Sequence, residues 1–529
     1  MFHSGPVGLS SNRSEWMAIV EPLSPTSEGR RRLGIRSPKT RESVGEIVVN
    51  SQADVGLAIA KARDAQPEWA RVPIAERARI VRGAIDLLVE QRDEVVKTLM
   101  GETGKTHLET LIMEVLPSCD YINFWCGRAV EELSDEKRKL HGYLRPYKKL
   151  RMHYRPLGVV GIITPWNGPL ALAVNPIVQA LLAGNAVILK PSEVSPYSSE
   201  WAVRLLREAG VPEGVVQTLH GDGETGAALV KGGVQKISFT GSVGTGKKIA
   251  VACAEQLIPC TLELGGKDAM IVCEDADVER AAGGAVFNSM INSGHVCMGV
   301  ERVYVVESIA DEFEERVKSI VSELRYGLSD EVDVGAVFWD RQMPIIERHV
   351  EDARAKGAEI VVGGEADATD GLFYKPTFVR NVDHTMDLMR EETFGPIVSV
   401  MRVADEEEAI RLANDSKYGL SGSVWTKNVE KGIAIAKRLE TGSVVINDAS
   451  MAYGAPEAPF GGMKDSGVGQ VNGLGGLRGY THQQPILIDR WAVKKERVWY
   501  PHTSKTVEEI DGMIRFIYGS ALKKLGFFS

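Results

Sequence analysis

Apolar and polar positions along this chain fall into two rhythms. Residues 53–70 and 75–97 carry apolar side chains at helical spacing and predict two amphipathic helices. From residue 157 the pattern changes. Short apolar runs (GVVGII, AVILK, VVQTLH, KISFTG, CTLELG, AMIVCE, RVYVV) alternate with helical stretches as far as residue 305. Strands covered on both faces read as unbroken apolar runs, so this rhythm predicts a parallel, doubly wound sheet. A second series (IVVGGE, FYKPTFVRNV, IVSVMRVA, GSVWTK, GSVVIND) predicts a second α/β lobe, joined to the first near 263–270. The uncharged stretch Leu157 to Leu189 has the length of a membrane span. Pro165, Pro169 and Pro176 interrupt it, with Asn167, Asn175 and Gln179. It reads instead as strand, turn, helix and strand, a buried β–α–β unit.

Four segments fit neither lobe. Residues 1–35 are polar, rich in Gly, Ser and Pro, and end in Arg30-Arg31-Arg32, which suggests an extended or mobile N-terminal arm. KLHGYLRPYKKLRMHYRP (139–156) reads as an exposed hairpin, and 477–491 contains a further strand. Exposed strand edges seek partners, so both are expected at a subunit interface of a homodimer or homotetramer. The extension 492–529 ends in an amphipathic helix, with Val507, Ile510, Met513, Ile514, Ile517, Ala521, Leu522 and Leu525 at helical spacing. It is expected to pack on protein near the subunit interface. Peripheral membrane contact, through Lys523, Lys524, Phe527 and Phe528, is the other reading.

Composition narrows the class. A chain of 529 residues is too long for one hydrophobic core. A net charge of −9 argues against nucleic acid as a partner. The six cysteines form no CxxC pair and no cluster with histidine, so neither a metal site nor a disulfide framework is expected. The N-terminus has no long apolar core and no basic start, hence no signal peptide and an expected cytoplasmic location.

Five stretches carry candidate chemistry. KISFTGSVGTGKKIA (236–250) leads a strand through glycines into a helix, whose first N–H groups suit a phosphate. Gly241 to Lys248 is one residue from a P-loop, Lys248 standing where a hydroxyl is required. An ATP site and a dinucleotide site both remain open here. LKPSE (189–193) ends a buried strand, where open α/β sheets bind ligands, and Glu193 could take ribose hydroxyls. TPWNGPL (164–170) puts the amide of Asn167 in an apolar run, to pin the turn or to face an oxyanion. TLELGGKDAMIV (261–272) places Glu263 between leucines. Burial there raises a carboxyl pKa and suits a general base, although a buried ion pair reads equally well. FNSMINSGHVCMGVERVYV (287–305) holds Cys297, either a core thiol or a nucleophile.

In this order the motifs resemble the NAD(P)-dependent, non-phosphorylating aldehyde dehydrogenase superfamily from about residue 35 to 490. LELGGK looks like its strand-glutamate motif and SGHVCMGVERVYV like its nucleophile motif. EETFGP (391–396) and PFGGMKDSGVG (459–469) are two further signatures. The resemblance implies two α/β lobes with a small β oligomerisation element. A cofactor domain would cover 36–138 and 157–262, oligomerisation strands 139–156 and 477–491, and a catalytic domain 263–476. It implies that Cys297 attacks the aldehyde, that Asn167 and the Cys297 N–H hold the oxyanion, and that Glu263 activates the water that hydrolyses the thioester, with Lys190 as a fourth catalytic residue. Ile163, Thr164, Pro165, Trp166, Lys190, Glu193, Gly221, Gly226, Gly241, Ser242, Gly246, Leu264, Glu392 and Phe394 would hold NAD, which Glu193 favours over NADP, while Lys190 admits NADP. Lys267 would have a supporting role. Gly168, Leu172, Asn175, Val296 and Met298 would line the substrate tunnel. Many members carry an aromatic residue at the position of Gly168 and another on the following helix, near Asn175. Both departures remove bulk and suggest a bulky aromatic or long-chain aldehyde. The wording of the motifs is similar to semialdehyde-type and broad-range members, which makes succinate semialdehyde the alternative. Gln470 stands where an arginine is usual. CoA-acylating relatives lack a base at the position of Glu263, and its presence speaks for hydrolysis.

Overall fold

The computed structural model describes residues 18–329 and 331–519. Its strands in chain order are β1 (Val20–Leu23), β2 (Arg32–Arg36), β3 (Ser43–Val48), β4 (Glu136–Arg138), β5 (Lys148–Pro156), β6 (Val159–Ile163), β7 (Ala186–Lys190), β8 (Val216–Thr218), β9 (Lys236–Thr240), β10 (Cys260–Glu263), β11 (Asp268–Val272), β12 (Val300–Val306), β13 (Glu359–Val362), β14 (Thr377–Arg380), β15 (Ile397–Val403), β16 (Gly422–Trp425), β17 (Val445–Ile446), β18 (Gly467–Val468) and β19 (Thr481–Asp489).

One sheet has the order β18-β10-β9-β6-β7-β8 and is parallel apart from the β18–β10 pair. β6 and β7 are buried at every position, the two-sided cover that their unbroken apolar runs predict. The chain moves outward one way through β6, β7 and β8, then returns to build β9 and β10 on the other side of β6. The order therefore reverses between β6 and β9, and a ligand crevice is expected beyond the carboxyl ends of those strands. TPWNGP follows β6 and GSVGTG follows β9, so both turns meet at that crevice.

The second sheet runs β13-β14-β15-β12-β11-β16-β17, parallel apart from β13–β14. β11 and β12 belong to it, so the strand rhythm of 157–305 spans two sheets rather than one. The chain crosses between them in the four residues that separate Glu263 from Asp268. A third, antiparallel sheet has the order β19-β5-β4, with β19 paired along its whole length to β5. β5 folds back on β4, which precedes the expected hairpin, and residues 142–144 form a short turn of helix. β19 is an edge strand, and Gln483 to Ile488 are exposed along it.

Two expectations change here. The N-terminal arm of 1–35 is folded where it is described: β1, β2 and β3 make an antiparallel sheet, Ile19 and Ile35 are fully buried, and Ile19 N donates to Asp340 Oδ1 at 2.9 Å. Leu33 and Ile35 point inward at a spacing of two, a short alternation masked by the arginines around it. Residues 1–17 lie outside the described residues. The helix over 75–97 is two helices, Ile74–Glu90 and Arg92–Thr103, parted at Gln91 (φ −91°, ψ 11°). No glycine or proline marks that break. The helix Ser504–Tyr518 forms where apolar spacing predicts it, capped by Thr503, and none of its residues is buried. Ala521, Leu522, Lys523, Lys524, Leu525, Phe527 and Phe528 lie outside the described residues. No described helix is long and apolar enough to cross a membrane.

Candidate active site

At the crevice, β9 runs into Gly241 and Ser242, and the Ser242 hydroxyl caps the helix Val243–Gln256 by accepting from Thr245 N at 3.4 Å. A Cβ at Gly241 would stand 2.6 Å from the Phe239 ring, and one at Gly246 would run into Leu264. The helix start therefore lies tight against the strands, with its remaining first-turn N–H groups open to an anion. Lys247, which a P-loop would aim at a phosphate, pairs with Asp465 at 2.9 Å. Thr164 N donates to Lys190 O at 3.2 Å, tying the turn after β6 to the end of β7. Lys190 is buried with its Nζ 3.4 Å from Glu193. Burial lowers its pKa and Glu193 opposes the shift. A Cβ at Gly226 would lie 3.9 Å from the Lys190 chain, and Gly221 (φ 151°) turns where a side chain would collide with Thr225. Lys190, Glu193, Gly221 and Gly226 thus gather at one corner. Open helix N–H groups, a buried lysine and a half-exposed carboxylate suit the phosphates and ribose of a dinucleotide.

The thiol follows a strained approach. Asn292 (φ 60°), Ser293 (φ 54°) and Gly294 (φ 76°) are left-handed in succession. A side chain at Gly294 would meet the Gly395 carbonyl, so only glycine fits. Cys297 emerges partly exposed. Burial first, and then the acidic groups of Glu392, Asp268 and Glu263, push its pKa up, while the Met298 N–H acts the other way. The thiolate needs further help to form. Asn167 is held from several sides. Its Nδ2 donates to His295 O at 2.9 Å, and its carbonyl accepts from Lys105 Nζ at 2.8 Å and from Asn292 Nδ2 at 2.9 Å. Lys105 is paired with Glu114 at 2.6 Å, and Glu114 also accepts from Leu170 N and Ala171 N. Glu109 accepts from Asn292 N at 2.6 Å. This buried network from GKTHLETLIMEV is absent from the sequence reading. Its signal in the sequence is faint: Lys105, Glu109 and Glu114 stand among threonines and apolar residues.

Glu263 is 4% exposed, and neither carboxyl oxygen has a hydrogen-bond partner among the described residues. Burial raises its pKa well above the usual carboxylate range. The glycines that follow have separate tasks. A side chain at Gly265 would collide with the Glu392 carboxylate, and one at Gly266 with the Cys297 carbonyl. Glu392 accepts from Gly266 N at 3.1 Å and is pushed up to about 8 by burial and then by Glu301. Lys267 pairs with Glu301 and donates to Thr393 Oγ1 at 3.2 Å. Glu301 in turn accepts from the N–H groups of Thr393 and Phe394, both at 2.9 Å, so Lys267 anchors the Glu392–Phe394 segment. The Phe394 ring packs 5.5 Å from Trp166. Trp166 also meets His295, Phe338 and Trp339, the last two being aromatics that the sequence reading misses.

Around the thiol, Cys297 and Met298 pack with Leu420, Phe460, Val471, Ala452 and Tyr453, and Val296 is buried. Two tunnel expectations change. A Cβ at Gly168 would lie 2.9 Å from Leu172 Cδ1, so Leu172 already takes the room that Gly168 frees. Asn175 is fully buried, with its amide bonded to Trp125, Gln179, Asn472 and Tyr453, and lines no open tunnel. Elsewhere, Cys273, Asp275 and Glu406 converge as a metal site would, but Lys431 pairs with both carboxylates.

The aldehyde dehydrogenase family profile matches residues 25–486. A protein of Methylomonas sp named 4,4'-diapolycopene aldehyde oxidase is 38% identical over 91% of each chain. A putative NADP+ succinate-semialdehyde dehydrogenase of Mycobacterium ulcerans is 38% identical over 85% of this chain and 87% of its own. Among solved structures, an aldehyde dehydrogenase of Mycobacterium tuberculosis in complex with NAD+ is 35% identical, with a TM-score of 0.83 over 87% of this chain and 95% of its own. An NAD-dependent aldehyde dehydrogenase of Sinorhizobium meliloti is 32% identical, with a TM-score of 0.85 over 90% of this chain and 94% of its own. The chain belongs to the aldehyde dehydrogenase family and is an NAD(P)-dependent aldehyde dehydrogenase.

Proposed function

We propose that this enzyme oxidises an uncharged, apolar aldehyde, aromatic or long-chain, to its carboxylic acid, with NAD preferred over NADP. The observation that carries the substrate class is the packing around the thiol: Cys297 and Met298 pack with Leu420, Phe460, Val471, Ala452 and Tyr453, all apolar or phenolic. A substrate that brings its own carboxylate would give up water for a lining whose side chains offer no counter-charge. This favours the diapolycopene aldehyde class, for which the Methylomonas relative is named, over succinate semialdehyde, for which the mycobacterial relatives are named.

Cys297 as thiolate attacks the aldehyde carbon, and the Asn167 amide with the Cys297 N–H receives the oxyanion. The nicotinamide, when bound, supplies the acceptor for the hydride that leaves as the thiohemiacetal becomes a thioester. Trp166, Glu392 and Phe394 would hold its nicotinamide end, and Gly241, Ser242 and Gly246 its phosphates. Glu263 then takes a proton from water, whose oxygen bonds to the acyl carbon as the C–S bond breaks. The exposed edge of β19 is the proposed contact between subunits of a homo-oligomer. The test is NADH absorbance with decanal, benzaldehyde and succinate semialdehyde, each with NAD and with NADP. Higher kcat/KM on the two uncharged aldehydes is expected, and Cys297→Ala should abolish turnover. A preference for succinate semialdehyde would overturn the substrate class, and activity in Cys297→Ala the mechanism.

A further inference from the structure

The run Arg30-Arg31-Arg32 stands at the entry to β2, and its three side chains take separate partners. Arg30 Nη2 lies 3.0 Å from Asp54 Oδ2, and Arg32 pairs with Glu46 on the neighbouring β3. Arg31 reaches out of the sheet. Its Nη2 lies 2.5 Å from Asp222 Oδ2 and its Nη1 2.7 Å from Glu224 Oε2, so one guanidinium spans two carboxylates. Both stand at the start of the helix Gly223–Lys231, where Asp222 is the N-cap and its Oδ1 accepts from Glu224 N at 3.0 Å.

The main chain fixes where that helix start lies. Leu219 N donates to Leu189 O at 2.8 Å, which brings the turn 220–222 alongside Lys190, the next residue after Leu189. Asp222 O accepts from Gly226 N at 3.1 Å, and Gly226 is the residue whose Cβ would lie 3.9 Å from the Lys190 chain. The end of β3 is tied to the same turn. Val49 N donates to Arg31 O at 2.9 Å, Asn50 N to His220 O at 2.8 Å and Thr225 Oγ1 to Asn50 O at 2.9 Å. Arg31 therefore comes from the N-terminal sheet to the edge of the corner where Lys190, Glu193 and Gly226 meet. Lys190 pairs with Glu193 there, and Arg31 with the two remaining carboxylates.

We propose that Arg31 is a specificity-determining residue of the cofactor site: by holding Asp222 and Glu224 it cancels the acidic rim of the adenosine corner and lets that corner take the 2′-phosphate of NADP as well as NAD. Glu193 sets the preference for NAD, and Arg31 limits how steep that preference is. A phosphate monoester brings nearly two negative charges to the ribose, and NAD brings none at that position, so loss of Arg31 bears on NADP first. The Arg31 side chain is 51% exposed, so solvent and salt soften the effect. The inference rests on the placement of the ribose at this corner, proposed above.

Arg31→Gln removes the charge and leaves the main-chain bonds of the strand in place. Dissociation constants for NAD and NADP are measured by titration calorimetry on the full-length protein. The constant for NADP should rise roughly threefold to tenfold, and that for NAD should stay within about twofold. Adding Asp222→Asn, which keeps a capping side chain, and Glu224→Gln should return NADP to its wild-type affinity, because the charges that Arg31 held are gone. Equal weakening of both cofactors, or a loss that the triple variant does not repair, would show that Arg31 only braces the helix and would overturn the proposal. An unchanged NADP constant would overturn it as well. Glu193→Gln separates the two levels. If it too leaves the ratio of the constants unchanged, the ribose does not lie at this corner and the earlier reading fails. If it shifts the ratio while Arg31→Gln does not, the inference about Arg31 falls alone.

Discussion

Glu114 has no exposed surface and Glu263 is 4% exposed, yet their carboxylates have opposite surroundings. Glu114 receives Lys105 Nζ at 2.6 Å and the N–H groups of Leu170 and Ala171 at 3.0 and 2.9 Å. Glu263 receives nothing. Filled acceptor sites bind a carboxylate to its neighbours, and here those neighbours form the turn that carries Asn167. Empty sites leave a carboxyl costly to bury in its charged form and ready to take a proton. The first arrangement holds the site in shape, and the second suits the general-base role proposed for Glu263, at the expense of stability.

The largest effect should come from Glu263→Gln. Loss of a general base should slow thioester hydrolysis by about 10²- to 10⁴-fold, leaving a burst of about one NADH per site followed by slow turnover. The same change should stabilise the fold, by roughly 1 kcal/mol, because it removes a carboxyl that nothing solvates. The sign with pH follows from the raised pKa of Glu263. A carboxyl whose folded value lies above its unfolded one stabilises fully below the unfolded value, about 4.3, and that stability is lost as pH rises toward the folded value. The advantage of the glutamine variant in thermal melts should therefore grow as pH rises above about 4.3. Wild-type hydrolysis of the acyl-enzyme should quicken over the same rise, as the base ionises. A variant that melts below wild type at every pH would break the comparison.

Glu114→Gln should act in the opposite direction. Breaking a buried ion pair leaves the other charge uncompensated and costs about 3–5 kcal/mol, which a urea midpoint reads directly. Lys105 also donates to the Asn167 carbonyl, so kcat should fall in the fraction that remains folded. Replacing both partners, Lys105→Met with Glu114→Leu, should return part of the stability and less of the rate. Equal recovery of both would separate this pair from the oxyanion amide.

The two glutamates also mark what could be read in advance. Glu263 is legible because a lone carboxylate between leucines stands out in a strand, and because LELGGK looks like a known family motif. Glu114 sits as conspicuously in LIMEV, but its partners are Lys105, nine residues back in sequence, and the N–H groups of a turn 56 residues on. Nothing in the pattern announces that meeting. The strands of both sheets are legible because two-sided burial writes them as apolar runs. β11 and β12 read the same way whichever sheet they join, so the change of sheet is invisible. Gly168 shows the limit at close range: a missing side chain is plain in the sequence, but Leu172 filling its place is a fact of packing. Tyr453 lies in a loop with neither periodicity nor motif, and only the fold brings it beside Cys297.

Glu193 lies between these extremes and should give the smallest effect. Its side chain is 26% exposed, and it pairs with Lys190 Nζ at 3.4 Å. It is neither saturated like Glu114 nor abandoned like Glu263, and part of its acceptor capacity faces the corner where Gly226 and Lys190 meet. A carboxylate there accepts from ribose hydroxyls and repels a 2′-phosphate. Glu193→Gln keeps the size, removes the charge and releases Lys190 toward an incoming phosphate. The kcat/KM for NADP should rise and that for NAD should fall slightly. Their ratio should shift by about tenfold or less, because a partly exposed charge is screened by solvent. Added salt should narrow the wild-type preference in the same direction, and should do so less in the variant. A ratio unchanged by both treatments would show that Glu193 does not face the ribose, and that cofactor choice is set by residues elsewhere in the crevice.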